Sequence, residues 1–263
     1  MSFALERHVR PGPDGPLSWA EVPWDTETFG LSLVDLAADR ERLEEVRANL
    51  PAVVAELDAR GRHLTQCKVP IDATELLAAL AAVGFYPVET MLYLELPLER
   101  ARTLVPRVPA SLTLRDVRPE DLDGLSTIAR DAFHADRFHL DPHLDSSAAG
   151  ARYEAWLRRG VAAGEPVFVF EDTRRKRTIG FFHVRETEPG VVDLSLAAVD
   201  PASRRLGLGS LMYQQVVHAC RERGYRTAIT HITVHNTDVM NLFAQLGFTF
   251  RDPVLCLHRY HAG

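Results

Sequence analysis

The chain has 263 residues, 46% of them hydrophobic, and a formal net charge of -6. This composition suits one large core or two smaller ones, and the negative charge argues against a general attraction to nucleic acid or to an anionic membrane surface. The longest apolar stretch, residues 76–83, is far shorter than the ~20 residues that cross a bilayer. The sequence therefore predicts a globular protein with neither nucleic acid nor membrane as a partner.

Cysteine usage and the N-terminal residues bear on the cellular compartment. Cys67, Cys220 and Cys256 are odd in number, far apart and not arranged as a CxxC pair. Both a disulfide scaffold and a zinc site are therefore disfavoured. Residues 1–12 mix charges with proline and glycine and lack the apolar run of a signal peptide. We expect a cytoplasmic protein with reduced thiols and no metal.

The first half of the chain has no glycine-rich loop suited to an anion. Its residues 80–96 (LAAVGFYPVETMLYLEL) resemble residues 243–259 (FAQLGFTFRDPVLCLHR), since both place a helix end before Gly-Phe and an alternating strand after it. An internal duplication explains this likeness, and so does a generic helix–glycine–strand unit; both explanations stay open. Residues 97–111 contain three prolines, which favour an extended connector, and we place a domain boundary near Pro109.

The second half predicts strands alternating with helices, a pattern typical of α/β proteins. The predicted strands cover residues 112–115, 167–171, 178–185, 192–199, 227–234 and 253–257. The predicted helices open at Pro119 and cover residues 152–161, 207–223 and 237–246. Glycines at 224 and 247 end the last two helices.

The most informative segment is residues 199–210 (VDPASRRLGLGS), which follows a predicted buried strand and opens a helix. Such a turn leaves backbone N–H groups unpaired at the positive end of the helix dipole. Gly207 and Gly209 leave room for a phosphate, and Arg204 and Arg205 offer charge to its oxygens. The segment lacks the Gly-Lys-Ser/Thr of a P-loop and the third glycine of a dinucleotide fingerprint. It predicts a pyrophosphate cradle, with a plain strand–turn–helix connection as the alternative.

The order of motifs resembles the GNAT acetyltransferase superfamily. R-x-x-G-x-G after a strand ending in Val-x-Pro resembles the CoA pyrophosphate motif of that family. Residues 112–133 resemble its opening strand and first helix, and residues 236–248 (N-x-x-x-x-x-L-F-x-x-L-G-F) resemble its second cofactor motif. Residues 24–30 (WDTETFG) and 131–142 (DAFHADRFHLDP) are similar to a narrower group, the dTDP-fucosamine acetyltransferases.

This resemblance implies an α/β protein with two GNAT folds in tandem, each a mixed central sheet flanked by helices. Residues 1–108 would form a degenerate domain without cofactor, and residues 109–263 the catalytic domain. The implied reaction moves an acetyl or short acyl group from acyl-CoA directly to a primary amine, and no Ser/His/Asp constellation in the sequence suggests a covalent intermediate. The narrower group implies a dTDP-linked amino sugar as acceptor.

The residues that the resemblance assigns to CoA lie in the two motifs and the preceding strand. They are Ala197, Val199, Arg204, Arg205, Leu206, Gly207, Leu208, Gly209, Ser210, Asn236 and Phe243. In GNAT folds this strand splays from the next one and its backbone pairs with the pantetheine arm, while a backbone N–H holds the thioester carbonyl.

Asp193 is the candidate base for the acceptor amine, which must lose a proton before it attacks. It lies six residues before Val199, so strand alternation predicts that both share a face. The alternative is that Asp193 only ends the turn after Gly190. His231 on the next strand is a second candidate base or water-holder, with a packed, hydrogen-bonded histidine as the alternative.

Arg137, Phe138 and His139 lie in the segment that usually borders the acceptor pocket of GNAT proteins. Arg137 offers a two-pronged grip on a nucleotide phosphate, although an exposed loop arginine is the alternative interpretation. GNAT enzymes often carry a tyrosine where this sequence has Phe243, and that tyrosine protonates the departing thiolate. We expect water, or the amine's own proton returning to sulfur, to replace it here, with Tyr213 or Tyr260 as the alternative acid.

Two other functions remain open at this stage. One is acetylation of a different amine, such as an antibiotic, an amino acid or a polyamine. The other is a non-catalytic CoA-binding module, which the phenylalanine at 243 would fit. The sequence gives neither the acceptor nor the oligomeric state, and a homodimer is compatible with it.

Overall fold

A computed structural model of the protein describes residues 5–104, 107–204 and 207–263. Its strands are β1 (His8–Arg10), β2 (Leu17–Glu21), β3 (Ser32–Ala38), β4 (His63–Pro70), β5 (Tyr86–Pro97), β6 (Leu112–Asp116), β7 (Val167–Asp172), β8 (Arg177–Glu188), β9 (Val191–Val199), β10 (Thr227–Thr233) and β11 (Thr249–His261). Its helices are α1 (Pro23–Phe29), α2 (Leu43–Asp58), α3 (Thr74–Ala82), α4 (Leu122–Ala132), α5 (Arg137–Leu140), α6 (Ser146–Ala162), α7 (Leu208–Glu222) and α8 (Thr237–Leu246).

The chain forms two compact units. The N-terminal unit comprises the chain up to Met91 together with Asp136–Ala149 and Asp252–Gly263. The C-terminal unit comprises Leu92–Ala135 and Gly150–Arg251. The chain therefore passes between the units more than once, within β5, α6 and β11. The predicted division into successive domains, 1–108 and 109–263, stays a prediction.

The C-terminal unit contains a mixed sheet in the order β5-β10-β9-β8-β7-β6. Strands β6 to β9 are antiparallel neighbours, whereas β10 runs parallel to β9. Alternate residues of β7 enter different cores, as strand geometry requires. Phe168 and Phe170 join a core with α7 and α8, while Val167 and Val169 join a core with α4 and α6. Helices thus cover both faces of this sheet, as predicted.

The N-terminal unit contains the strand order β1-β2-β3-β4-β11. β3 and β4 are parallel, and their register extends over five pairs from Ser32 with His63 to Leu36 with Cys67. β11 is antiparallel to β4, so the end of the chain completes this sheet. The apolar sides of α2 and α3 pack on it, with Leu50 and Leu80 almost fully buried.

The two similar segments noted in the sequence share one helix-capping geometry. Gly84 and Gly247 both adopt left-handed backbone angles, with φ of 92° and 98°. The backbone N–H of Phe85 reaches the carbonyl of Leu80, and that of Phe248 reaches the carbonyl of Phe243, at 3.1 and 3.0 Å. A residue with a Cβ is strained in this conformation. The geometry therefore accounts for the glycine in both segments.

Several predicted elements differ from the structure at their ends. The helix over residues 237–246 is confirmed at both ends by α8. The last strand is much longer than the predicted 253–257, because β11 continues through Asp252-Pro253, a pair that normally interrupts strands. α6 begins six residues before the predicted 152, and the one-turn helix α5 was not predicted.

The proline-rich connector has little regular structure but is not a free linker. Leu98 is fully buried, and its N–H donates to the carbonyl of Arg226 at 2.8 Å. The N–H of Arg102 donates to the carbonyl of Leu246 at 3.0 Å. These bonds hold the connector against the C-terminal unit. Among the helices of the described ranges, none is both long and apolar enough to cross a membrane.

Candidate functional site

β9 and β10 begin as parallel partners and then separate. Their register joins residues 191–193 of β9 to residues 227–229 of β10 and ends there, although β9 continues to Val199. Where the ladder ends, the hydroxyl of Thr230 donates to the carbonyl of Leu194 at 3.1 Å. A side chain thus occupies the place of the next backbone bond. Beyond it, within the described part of both strands, the register leaves this edge of β9 open.

A β-bulge in β9 coincides with the separation. Arg185 of β8 pairs with Asp193, but His183 pairs with Leu196. Two residues along β8 therefore correspond to three residues along β9. The extra residue of a bulge has no partner in the ladder and changes the direction of the side chains that follow. The bulge therefore lies at the point where the gap between β9 and β10 opens.

The bulge overturns one prediction about the site. Leu194 belongs to the core beneath α7, and Val199 packs against that same core although the two are five residues apart. Asp193, adjacent to Leu194, must face the other side of the sheet. The prediction that Asp193 and Val199 share a face is therefore wrong, because the inserted residue switches the alternation between them.

The backbone of the last β9 residues points into the gap. The N–H of Asp200 donates to the carbonyl of Ile179 on β8 at 2.8 Å. Backbone direction alternates along an antiparallel pair, so Ala197 and Val199 direct their N–H and C=O groups away from β8, towards β10. These two predicted residues therefore direct backbone hydrogen-bonding groups into the gap.

The loop after β9 leads into the N-terminus of α7. Gly207 has φ of 71° and precedes the first helical residue, Leu208. The N–H groups of Leu208, Gly209 and Ser210 have no acceptor within the helix, since they lie in its first turn. A Cβ built on Gly209 would meet no atom within 4 Å. We call residues 204 and 207–210 the cradle; among the described residues it combines N–H groups without a helical acceptor, open space at Gly209 and the positive end of a 15-residue helix.

Arg204 performs a structural task in the cradle. Its Nε donates to the carbonyl of Val199 at 3.4 Å, and its Nη2 donates to the carbonyls of Asp131 and Ala132 at 3.4 and 3.3 Å. Those two carbonyls end α4, where a cation is favourable for the helix dipole. The guanidinium thus joins two elements beside the loop while placing its charge there. Arg205 and Leu206, which were also predicted to bind CoA, lie outside the described residues.

The second predicted cofactor motif is used largely for structure. Asn236 is the N-cap of α8, and its side chain accepts the N–H of Val239 at 3.4 Å. Phe243 is 2% exposed and packs against Tyr213 and Phe248, with ring centroids 5.3 and 4.8 Å apart. The residue types of the motif are therefore explained by capping and packing, and their contact with CoA stays a prediction.

Asp193 lies in a polar cluster on the α6 side of the sheet. It is 8% exposed, and its Oδ2 lies 3.3 Å from Nη2 of Arg185. Burial raises the pKa of Asp193 to about 6, while Arg185 acts in the opposite direction. A carboxyl group with such a pKa is ionised at neutral pH and remains a stronger base than an ordinary aspartate.

The same cluster contains an acid–histidine–serine arrangement that sequence reasoning missed. His183 is fully buried; its Nε2 lies 2.7 Å from Oε2 of Glu165 and its Nδ1 lies 3.2 Å from Oγ of Ser195. Gly160 of α6 permits this approach, because a Cβ there would lie 2.5 Å from the imidazole. The sequence shows no Ser/His/Asp constellation that suggests a covalent intermediate, whereas the fold forms a Ser/His/Glu arrangement. The residues are separated in sequence, and only the fold brings them together.

The remaining predicted contacts are placed as follows. His231 is exposed on β10, with its ring centroid 6.2 Å from that of Tyr93, and both interpretations of this histidine stay open. Arg137, Phe138 and His139 belong to the N-terminal unit. There the Arg137 side chain is 15% exposed and contacts Glu89 at 3.4 Å, so it is not an exposed loop arginine. Phe138 is buried, and His139 lies 2.6 Å from Asp136.

Comparisons with known proteins bear on the family and the fold of the chain. Residues 125–248 match the model of the acetyltransferase (GNAT) family. A mycothiol acetyltransferase of Thermomonospora curvata is 25% identical over 243 residues, which cover 92% of this chain and 74% of that protein. The spore coat polysaccharide biosynthesis protein SpsD of Bacillus subtilis is 23% identical over 152 residues, which cover 58% of this chain and 52% of SpsD. The match thus spans about half of the length of SpsD.

A solved tandem GNAT protein from the clavulanic acid biosynthesis pathway superposes with a TM-score of 0.66 at 19% identity, covering 99% of this chain and 83% of that one. The likeness shows a tandem GNAT fold for the chain. The matched residues 125–248 contain β9, the cradle, α7 and α8. Fold and family match thus agree for residues 125–248, which have the GNAT fold and match the GNAT acetyltransferase model.

Filling the open space at Gly209 tests the cradle. Gly209→Trp should weaken CoA binding at least ~10-fold, because losing even one hydrogen bond to a charged group costs about 1.5 kcal/mol. Isothermal titration calorimetry with CoA measures the change. The backbone should tolerate the substitution, since the added Cβ meets no atom within 4 Å.

A matched control is available in the same unit. Gly124 also lies in the first turn of a helix, is exposed, and has open space where a Cβ would stand. Gly124→Trp should bind CoA like the wild type. Undiminished affinity in Gly209→Trp, or an equal loss in Gly124→Trp, would refute the assignment of the cradle.

Asp193→Asn tests the predicted base. The variant keeps the size of the side chain and removes its charge, so turnover should fall by ~10²-fold while CoA binding stays unchanged. Wild-type turnover should decrease as the pH falls through about 6, where Asp193 takes up its proton. The asparagine variant should lack this acid limb in a pH–rate profile.

Folding of the variant is checked by its thermal stability. Between the ordinary pKa of 3.8 and the raised value of about 6, the folded state holds a proton that the unfolded state has lost. Stability should therefore fall as the pH rises through this window, and the loss persists at neutral pH. Asp193→Asn removes that loss, so its Tm at pH 7.5 should not be below that of the wild type. Full turnover in a well-folded Asp193→Asn would return Asp193 to a structural role.

Proposed function

We propose that the protein is an acyl-CoA-dependent N-acetyltransferase that acetylates a primary amine on a small molecule. One observation carries the proposal: β9 separates from β10 at a bulge, and the helix that follows the open edge of β9 in the chain begins at Gly207 and Leu208, with open space at Gly209. A strand edge with free backbone groups suits an extended amide-containing chain, and a helix N-terminus suits a diphosphate. Acyl-CoA contains both parts.

The distance between the two features supports this ligand. From Leu194 to Val199, β9 advances five residues, or ~17 Å. An extended pantetheine arm is of comparable length. With the diphosphate at the cradle, the amides of the arm would lie beside Ala197 and Val199. The thioester end would then lie beside the bulge.

The chain's own groups at the bulge supply the chemistry. Acetyl-CoA, when bound, supplies an activated acetyl group. Because the extra residue of a bulge has no partner in the ladder, its backbone N–H is the proposed donor for the carbonyl oxygen, where negative charge develops. Asp193, held by Arg185 and ionised above about pH 6, accepts the proton that the ammonium group must lose. Direct attack by the amine then needs no enzyme nucleophile.

Protonation of the departing thiolate does not require a dedicated acid. A thiol has a pKa near ~8.5, so its conjugate base leaves readily near neutral pH. Phe243 has no proton to give, and burial raises the pKa of Tyr213, which keeps that phenol protonated. Tyr213 packs edge-on against Phe182 and Phe243, at 4.8 and 5.3 Å. We propose water as the proton donor and Tyr213 as a packing residue.

The favoured acceptor is a nucleotide-linked amino sugar of the dTDP type. Support comes from residues 24–30 and 131–142, and from the name of SpsD, a protein of polysaccharide biosynthesis. The mycothiol acetyltransferases among the relatives make an acceptor of the mycothiol type the second candidate. Arg137, Phe138 and His139 remain the predicted acceptor contacts, and His231 a further one.

An acceptor screen tests the proposed activity. The wild type with acetyl-CoA is offered dTDP-linked amino sugars, mycothiol-type amines, aminoglycosides, amino acids and polyamines, and acetylated products are identified by mass spectrometry. We expect a dTDP-linked amino sugar to give the highest kcat/KM. CoA binding without acetylation of any amine would instead support the binding-module alternative.

Ser195→Ala separates direct transfer from a covalent route. The arrangement of Glu165, His183 and Ser195 specifically favours a covalent alternative, since it matches the order acid, base and nucleophile. Direct transfer predicts less than a tenfold loss of turnover in Ser195→Ala and no acetylated protein in the absence of amine. An acetyl group on Ser195, found by peptide mass spectrometry, would establish the covalent route.

Tyr213→Phe tests whether a phenol acts as the acid. The substitution keeps both edge-on ring contacts and removes only the hydroxyl. Turnover with the best acceptor should change less than tenfold, because the thiolate is a good leaving group. A loss of two orders of magnitude with unchanged CoA affinity would instead assign the acid to Tyr213.

A further inference from the structure

Two hydroxyl groups hold the part of β9 where its register against β8 shifts. In this stretch Leu194 and Ser195 lie opposite the single residue Val184. The hydroxyl of Thr230 donates to the carbonyl of Leu194 at 3.1 Å. Oγ of Ser195 lies 3.3 Å from the backbone carbonyl oxygen of His183 and 3.2 Å from its Nδ1. An inserted residue has no regular partner in the ladder, so these side chains supply contacts that the backbone does not.

The imidazole of His183 is the centre of a chain of three side chains. It is fully buried, and burial lowers the pKa of His183 although Glu165 acts in the opposite direction, so the ring is neutral near neutral pH. A neutral imidazole has one N–H group. The Glu165 carboxylate, 2.7 Å from Nε2, is an acceptor, so the proton lies on Nε2 and Nδ1 accepts the hydroxyl hydrogen of Ser195. The chain therefore runs from a carboxylate to the bulge.

The acid end of this chain is fixed by α6 and β8. The backbone N–H of Glu165 donates to the carbonyl of Gly160 at 2.9 Å, and the N–H of Val184 donates to the carbonyl of Pro166 at 3.0 Å. A Cβ at residue 160 would lie 2.5 Å from Nε2 of His183 and 3.1 Å from Oε2 of Glu165. The carboxylate and the imidazole therefore have little room to move.

Glu165 also acts on Asp193 through its charge. Asp193 lies opposite Arg185, and Arg185 is two residues from His183 on the same face of β8, a separation of ~7 Å along the strand. Burial raises the pKa of Asp193 to about 6; Arg185 acts in the opposite direction, and the charge of Glu165 adds to the increase. Within the described ranges, Arg185 and Glu165 are the charged groups that act on Asp193.

We propose that Glu165, His183 and Ser195 are positioning residues for the acetyl transfer: the Ser195 end holds the bulge, and the Glu165 end places a negative charge beside Asp193. The inference rests on the proposed function, because it starts from direct transfer with Asp193 as the base. A nearby like charge disfavours the ionised form of a carboxyl group and so makes its carboxylate a stronger base. The chain thus serves the base and the bulge at once, without touching the acetyl group.

Glu165→Gln tests the electrostatic end of the chain. The amide oxygen still accepts the N–H of His183 while the charge is removed, so the pKa of Asp193 should fall by about half a unit. A pH titration of the carboxyl resonances of 13C-labelled aspartate measures this change, and the Asp193 signal is the one that Asp193→Asn lacks. The acid limb of the pH–rate profile should move to lower pH by the same amount, with CoA affinity unchanged.

Glu171→Gln is the matched control. It removes the same charge at the other end of β7, from a side chain that is 26% exposed and contacts Arg115, and it should leave the titration of Asp193 unchanged. Glu165→Asp keeps the charge, so its Asp193 pKa should stay closer to the wild-type value than that of Glu165→Gln. Should Glu165→Gln not fold, Glu165→Ser replaces it, because it also removes the charge and leaves room for water at Nε2.

Ser195→Ala tests the other end of the chain. Without the hydroxyl the bulge is held less firmly, so kcat should fall about two- to tenfold. Hydrogen exchange of the backbone N–H groups of residues 194–196 should become faster. The titration of Asp193 should stay as in the wild type, because no charge has changed. An unchanged kcat with unchanged exchange would remove the Ser195 end from the inference.

Three results would overturn the inference as a whole. They are an unchanged titration of Asp193 in Glu165→Gln, an equal shift in Glu171→Gln, and an acetyl group on Ser195. The titration needs no acceptor, so an unchanged titration together with normal turnover overturns this inference and leaves the proposed function intact. Failure of the wild type to acetylate any amine would instead overturn the proposed function, and with it the role of these residues in transfer.

Discussion

The site depends on one extra residue in β9. By inserting a residue between Asp193 and Leu196, the chain changes the side of the sheet to which the following side chains point. The parallel ladder to β10 ends at the same place, and the hydroxyl of Thr230 fills the position of the next backbone bond. The open strand edge, the buried Asp193 and the approach to the cradle all follow from this interruption.

The N-terminal unit contains a parallel strand pair, β3 and β4, that has no bulge like the one in β9. β3 and β4 stay in parallel register over five pairs, and the antiparallel register of β3 with β2 has no shift. The turn after β3 contains Asp39 and Arg40 and no glycine, and the Asp39 carboxylate itself accepts the N–H of Glu41. The ladder between β3 and β4 is therefore uninterrupted over these five pairs, and at least one backbone N–H of the turn after β3 has an acceptor.

The sequence predicts local features of the site and misses those that depend on pairing. The sequence predicts the turn with glycines 207 and 209, and it predicts α8 over residues 237–246, because adjacent residues specify a turn and a capped helix. The sequence does not predict the bulge, because a bulge is a property of the register between β8 and β9 and no residue type marks it. For this reason the predicted common face of Asp193 and Val199 was wrong. Glu165 and His183 were missed for a similar reason: their contact is set by how α6 and β8 approach each other at Gly160.

The hydrogen bonds of Arg204 have a consequence for how substitutions in the loop are interpreted. This guanidinium holds the last carbonyls of α4 and the end of β9, so it is a tether as well as a charge. Lysine at this position would keep the charge, but a single ammonium group cannot reach three carbonyls in the directions that a planar fork does. Charge-conserving replacement is therefore not a mild change here: it would release one end of a helix from the strand that leads into the loop. A substitution at position 204 therefore affects the hydrogen bonds between α4 and β9 more than it affects the charge beside the loop.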